Sequence, residues 1–207
     1  MKIETVHPSH FERLVAIWES SVRATHHFLQ ESDIAALRPL LLNAYLPNLT
    51  VVMARDDAGV IHGFLGVDEN RIEMLFVDDA SRGKGVGKLL LKYAIAEFGV
   101  NEVDVNQQNP QGVAFYRHMG FKQVGRSEVD GQGNPFPLLH MRLNRNYRLA
   151  CLSHFNKPTI SFSPSTSFSR RCFFSNSIYS EHVFSSAAFL LILPAPSKTS
   201  RSLNCRN

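Results

Sequence analysis

Cysteine is absent from the first 150 residues of this 207-residue chain: Cys151, Cys172 and Cys205 all fall in the last 57. Residues 1–150 therefore carry no disulfide framework, no Cys-x-x-Cys metal pair and no cysteine nucleophile. A reducing, cytoplasmic setting fits that composition. Long apolar runs are missing too. The longest, Ala187 to Leu193, is far short of the roughly 20 residues that cross a bilayer. Met1 to Val6 alternates polar and apolar residues, unlike the apolar stretch of a signal peptide. No membrane partner is expected.

Other scarcities divide the chain in two. All 12 glycines precede residue 150, and residues 151–207 hold one acid, Glu181, against six Lys and Arg, a net +5. Residues 1–150 hold 16 Lys and Arg against 17 Asp and Glu, a net −1. The overall +4 thus belongs to the C-terminal part, and no nucleic-acid partner is expected for the rest. That C-terminal part has 14 Ser and seven Phe with no sustained period of 2 or 3.6. It reads as a disordered basic tail or as a segment whose reading frame was altered. The aromatics and the missing acids and glycines favour the second. The expected division is a domain over 1–147 and a tail over 148–207.

Within the domain, Lys2 to Val6 alternates like a strand. Ser9 can cap a helix with Glu12 three residues on, and Phe11, Leu14, Ile17, Trp18 and Val22 recur at helical spacing. A second helical pattern runs from about Asp33 to Leu46, stopped by Pro47. Thr50 to Arg55, Val60 to Val67 and Arg71 to Val77 are β-like and separated by tight turns, which suggests an antiparallel meander. A glycine-rich turn over Arg82 to Gly87 opens a helix with Val86, Leu89, Leu90, Tyr93, Ala94 and Phe98 inward. Glu102 to Asn106 is a short strand. Pro110 opens a helix ending near Met119-Gly120, and Phe121 to Arg126 and Phe136 to Leu143 read as a final strand pair.

The chemistry concentrates in Leu75-Phe-Val-Asp-Asp-Ala-Ser-Arg82-Gly83-Lys84-Gly85-Val86-Gly87-Lys88. A strand there runs into a glycine turn at a helix start, where free N–H groups and the macrodipole favour an anion. Lys84 and Lys88 add positive charge. Glycine at 83, 85 and 87 leaves the backbone open to a pyrophosphate. Two common phosphate loops do not fit. A Walker A loop needs Gly at 82 and Ser or Thr at 89, where Arg and Leu stand. A Rossmann fingerprint needs Gly at 88, occupied by Lys, after the first strand of a βαβ unit.

Arg82-x-x-Gly85-x-Gly87 resembles the acetyl-CoA loop of the GNAT superfamily, and Asn109…Ala114-Phe115-Tyr116…Gly120-Phe121 resembles that superfamily's second motif. Both occur in order. Two further stretches, Ser21-Val22-x-Ala24-Thr25-His26-x-Phe28-Leu29 and Gly125 to Leu139, are similar to the bacterial YjaB-type, peptidyl-lysine branch. The resemblance covers about residues 1–145. It implies a GNAT fold of α/β (α+β) class, a central mixed, mostly antiparallel twisted sheet flanked by helices. It also implies an acetyl-CoA-dependent N-acetyltransferase acting on an amine, either a protein lysine or a small molecule, as monomer or homodimer and without a metal. The alternative is a CoA-binding regulatory module without turnover. By the same resemblance Leu75, Phe76 and Val77 would hold the pantetheine arm and acetyl group, Arg82 to Lys88 the pyrophosphate, and Asn109 the pantetheine. Tyr116 would protonate the departing thiolate. Glu73, by strand alternation on the face of Leu75 and Val77, and His26, with a pKa suited to neutral proton transfer, are candidate bases. His26, Phe28, Glu128 and Asp130 are candidate acceptor contacts. Glu128 and Asp130 also read as turn formers.

Overall fold

The computed structural model describes residues 1–131 and 133–144; both expectations for 148–207 lie outside them. Strand β1 is Lys2–Thr5, helix α1 Phe11–Thr25 and helix α2 Glu31–Leu40. Strands β2 (Thr50–Arg55), β3 (Ile61–Asp68) and β4 (Arg71–Val77) follow, then α3 (Val86–Glu97), β5 (Glu102–Asn106), α4 (Pro110–His118), β6 (Phe121–Ser127) and β7 (Leu138–Leu143). The seven strands form one sheet in the order β1-β2-β3-β4-β5-β7-β6. Only the β4–β5 pair is parallel, so the sheet is mixed and mostly antiparallel, with the expected meander at β2-β3-β4.

Strand alternation sorts the core onto two faces. Val52, Ala54, Leu65 and Val67 cluster with Leu90, Leu91 and Ile95 of α3. Val51, Met53 and Phe64 cluster with Leu14, Ile17 and Trp18 of α1. Each buried Val, Leu, Ile, Phe or Met among them contributes about 1.5–3 kcal/mol. A helical net drawn on α3 from its apolar spacing names Leu89 as inward, but Leu89 is half-buried; Leu91 and Ile95 fill the core instead.

Three local expectations change. Ser9 caps nothing: the chain enters α1 through a 3₁₀ turn at Pro8–His10, where the His7 N–H donates to His10 Nδ1 at 3.1 Å. The second helix stops being α-helical at Leu40, continuing as a π turn over Leu41–Tyr45 and a 3₁₀ turn over Leu46–Asn48. Pro39 lies inside it, and its missing N–H breaks the α-helical ladder two residues before Leu41. In β4, Gly66 pairs with Met74 and Val67 with Ile72, so Glu73 has no partner on β3. This bulge lets Ile72 join Leu75 and Val77 on the α3 side while Met74 and Phe76 stay with α1.

Candidate active site

Parallel pairing of β4 with β5 is confined to Arg71–Glu102 and Ile72–Val103. Beyond it the strands separate, although β4 runs on to Val77 and β5 to Asn106. The hydrogen-bond phase of β4 then matters. The Asp78 N–H donates to His62 O at 2.9 Å, which makes Val77–Gly63 a non-hydrogen-bonded pair, and Leu75–Leu65 likewise two residues earlier. The N–H and C=O groups of Leu75 and Val77 therefore face the gap that β5 has left. A cavity of about 470 Å³ opens there, lined by the backbone and side chains of Leu75, Phe76 and Val77 and by Glu73, His26 and Tyr116 among others.

At one end of the cavity stands the glycine turn. Gly83 and Gly85 have φ of 75° and 82°, and Gly85 is the N-cap of α3. Glycine is required at both by backbone conformation and not by crowding, since a Cβ at either would meet nothing within 4 Å. The first N–H groups of α3 are thereby left without helical acceptors, next to Arg82 and Lys88 on the cavity wall. Arg82 Nη2 donates to Gln111 Oε1, tying the turn to α4. Lys84 is exposed and off the cavity wall. Asn109 lines the cavity and caps α4, its Oδ1 accepting from the Gly112 N–H at 2.9 Å.

Three of the cavity's titratable groups are buried and shifted from their ordinary pKa. Tyr116 is buried edge-on against Phe115 and Phe121, with ring centroids 5.1 and 5.5 Å away. Burial pushes its phenol well above the ordinary value, so it holds its proton. Glu73 is buried at the bulge, and its Oε1 has no hydrogen-bond partner. Burial raises its pKa from 4.5 to about 8, with Asp68 and Asp104 adding to the rise and Arg71 opposing it. His26 moves the other way, down to about 4, mainly through burial and secondarily through His27 and Arg82. Its tautomer follows from its neighbours. Thr25 Oγ1 donates its one proton to Ser21 O at 2.7 Å and lies 2.7 Å from His26 Nδ1. Toward the ring Thr25 can only accept, so Nδ1 carries the proton and Nε2 is left as an acceptor.

The model of the GNAT acetyltransferase domain matches residues 24–145. The chain belongs to the GNAT acetyltransferase family. It is 42% identical over 130 residues to the peptidyl-lysine N-acetyltransferase YjaB of Salmonella typhimurium, covering 63% of this chain and 89% of that protein. The solution structure of apo YjaB from Escherichia coli is 38% identical, with a TM-score of 0.63 over 68% of this chain and 95% of that one. The PaiA N-acetyltransferase of Thermoplasma acidophilum, solved in complex with coenzyme A, shares the fold at 23% identity and a TM-score of 0.51, over 68% and 98% of the two chains. This GNAT protein is an acetyl-CoA-dependent N-acetyltransferase, and its family model spans every titratable group just described.

Other residues singled out in the sequence lie off the cavity of this GNAT domain. Phe28 packs edge-on against His26 at 5.5 Å and against Phe136 at 5.8 Å. Exposed Glu128 pairs with Arg126, whose Nε donates to Gln107 Oε1 at 2.7 Å. Asp130 is buried and accepts from the N–H and Nδ2 of Asn134, both at 2.9 Å, which makes it the organiser of its turn. Among the cavity residues that sequence reasoning missed are Asp104 and Asn106 on β5. Their only signal was polarity in a strand where they alternate with apolar Val103 and Val105. Among the described residues no helix is long and apolar enough to cross a membrane.

Proposed function

We propose that this GNAT protein acetylates the ε-amine of lysine in a protein or peptide by direct transfer in a ternary complex. Glu73 takes the amine proton and Tyr116 protonates the CoA sulfur. The observation that carries this reading is the single cavity that joins the anion-binding turn, the free backbone of β4, an unpartnered buried carboxyl oxygen and a protonated phenol. The pyrophosphate of acetyl-CoA would lie on Arg82 to Lys88, its pantetheine along Leu75 to Val77 and Asn109. The Val77 N–H would polarise the acetyl carbonyl and hold the oxyanion. The amine nitrogen then bonds to the carbonyl carbon, the C–S bond breaks, the nitrogen's proton goes to Glu73 and the Tyr116 proton goes to sulfur.

The choice between the two candidate bases is one of basicity. The ammonium gives its first proton to solvent, and the neutral amine's proton, lost as it attacks, goes to the stronger base: Glu73, pushed up to about 8, and not His26, pushed down to about 4. Glu73 is therefore the base, and His26 a neutral acceptor of a hydrogen bond from acceptor or cofactor through Nε2. The lysine assignment draws support from the likeness to the peptidyl-lysine N-acetyltransferase YjaB. It is tested by offering acetyl-CoA with lysine peptides, with their N-terminally blocked and lysine-free counterparts, and with polyamines, reading free thiol. Thiol release with polyamines but not with lysine peptides would overturn it.

A further inference from the structure

Asp104 and Arg71 take no part in the transfer described above, yet both flank the gap where it would occur. Arg71 begins β4, two residues before Glu73, and Asp104 lies within β5 on the cavity wall. The guanidinium is fixed from two sides. Its Nη1 donates to Asp104 Oδ2 at 2.6 Å and its Nη2 to Glu102 Oε2 at 3.0 Å. Asp104 Oδ1 meets His140 Nδ1 at 2.7 Å, and His140 Nε2 meets Ser127 Oγ at 2.7 Å, so the acid is itself held by β7 and β6. Glu73 makes no ion pair among the described residues, and its Oε1 is buried without a partner.

That arrangement is unusual for a buried carboxyl beside a cation. An Arg–carboxylate pair is among the strongest charge-assisted contacts, and a guanidinium released beside Glu73 would close on it. We propose that Asp104 is a positioning residue for acetyl transfer: by holding Arg71 against β5 it keeps the guanidinium off Glu73 and leaves that carboxyl unpaired in the cavity for the acceptor's proton. The inference rests on the reading of Glu73 as proton acceptor. The groups that face Glu73 are Asp68 and Arg71 from β3 and β4, Asp104 from β5, and across the cavity His26, Tyr116 and Arg82. Of these, Arg71 is the cation that Asp104 holds directly.

The test follows the Glu73 titration in the full chain by carbon-13 NMR of carboxyl-labelled glutamate, with Glu73→Gln identifying the resonance. Asp104→Asn keeps the side chain's shape and removes the charge from one of Arg71's two anchors, which loosens the guanidinium, so the Glu73 titration moves down. Arg71→Gln moves it up. Loss of the Asp104 charge alone also lowers the titration, so the decisive comparison is a double-mutant cycle: in the Arg71→Gln background, Asp104→Asn produces a clearly smaller shift. Equal shifts in both backgrounds, or no shift in Asp104→Asn, overturn the proposal. Should Asp104→Asn fail to fold, Asp104→Ser removes the same anchor with a side chain too short to hold the guanidinium and shifts the titration in the same direction. In turnover assays Asp104→Asn lowers kcat with the KM for acetyl-CoA unchanged, and Arg71→Gln added to it restores kcat in part. Full activity in Glu73→Gln overturns the proton-acceptor reading instead, and the titration series still reports whether Asp104 restrains Arg71.

Discussion

Burial in one cavity moves Glu73 and His26 in opposite directions, because in each it disfavours the charged form. The signs give testable pH windows. The unfolded chain releases the Glu73 proton at about 4.5, whereas the folded chain holds it to about 8. The folded state binds more protons in that window, so stability falls as pH rises from about 4.5 to 8. Glu73→Gln removes the loss: its Tm matches wild type near pH 4 and exceeds it at pH 8, by a stability difference on the order of a few kcal/mol. For His26 the unfolded chain takes up a proton at 6.5 and the folded one only near 4. Stability then falls as pH drops from about 6.5 to 4, and His26→Gln flattens that limb in thermal melts. In catalysis, wild-type kcat/KM rises with pH through about 8 as Glu73 ionises. Glu73→Gln loses that limb and follows the acceptor amine instead, seen in a pH series of thiol release. Tyr116→Phe keeps the rings packed on Phe115 and Phe121 and removes only the hydroxyl. Its kcat falls about 10²- to 10⁴-fold with acetyl-CoA affinity intact by calorimetry. Tyr116 was legible from its motif. The contrast between the two bases was not, since it depends on which side chains lie across the gap.

At the scale of elements, the turn before α3 separates two reasons for glycine. Gly85 has φ of 82° and open space around it, so Gly85→Ala costs about 1 kcal/mol of stability through backbone strain and leaves acetyl-CoA binding largely in place. Gly87 sits inside α3 at ordinary φ, and a Cβ there makes normal contact with the Phe115 ring at 3.5 Å. Gly87→Asp therefore folds, and a carboxylate in the first turn even favours the helix. The same charge repels the pyrophosphate, so acetyl-CoA binding by calorimetry is lost while circular dichroism is unchanged. The glycine turn at the start of α3, the meander and the helix opened by Pro110 were all written in local spacing. The bulge at Glu73 and the π turn after Leu40 were not, because each depends on what the neighbouring strand or a proline does to the hydrogen-bond ladder.

Among the described residues the cavity, both sheet faces and four α-helices are complete by residue 144. A chain ended at Asn146 is accordingly expected to turn over acetyl-CoA at the full-length rate with an unchanged Tm; loss of either would mean that residues beyond 146 complete the fold. Sequence alone determined the order of elements and the glycine turn that opens α3, because these rest on residue spacing within a few turns of chain. Only the tertiary structure decided that β4 and β5 part after two residue pairs, that Glu73 is buried without a partner and that Asp104 holds Arg71. Those features join residues some 30 positions apart, and their energies depend on the distances and water exclusion that the packed sheet creates.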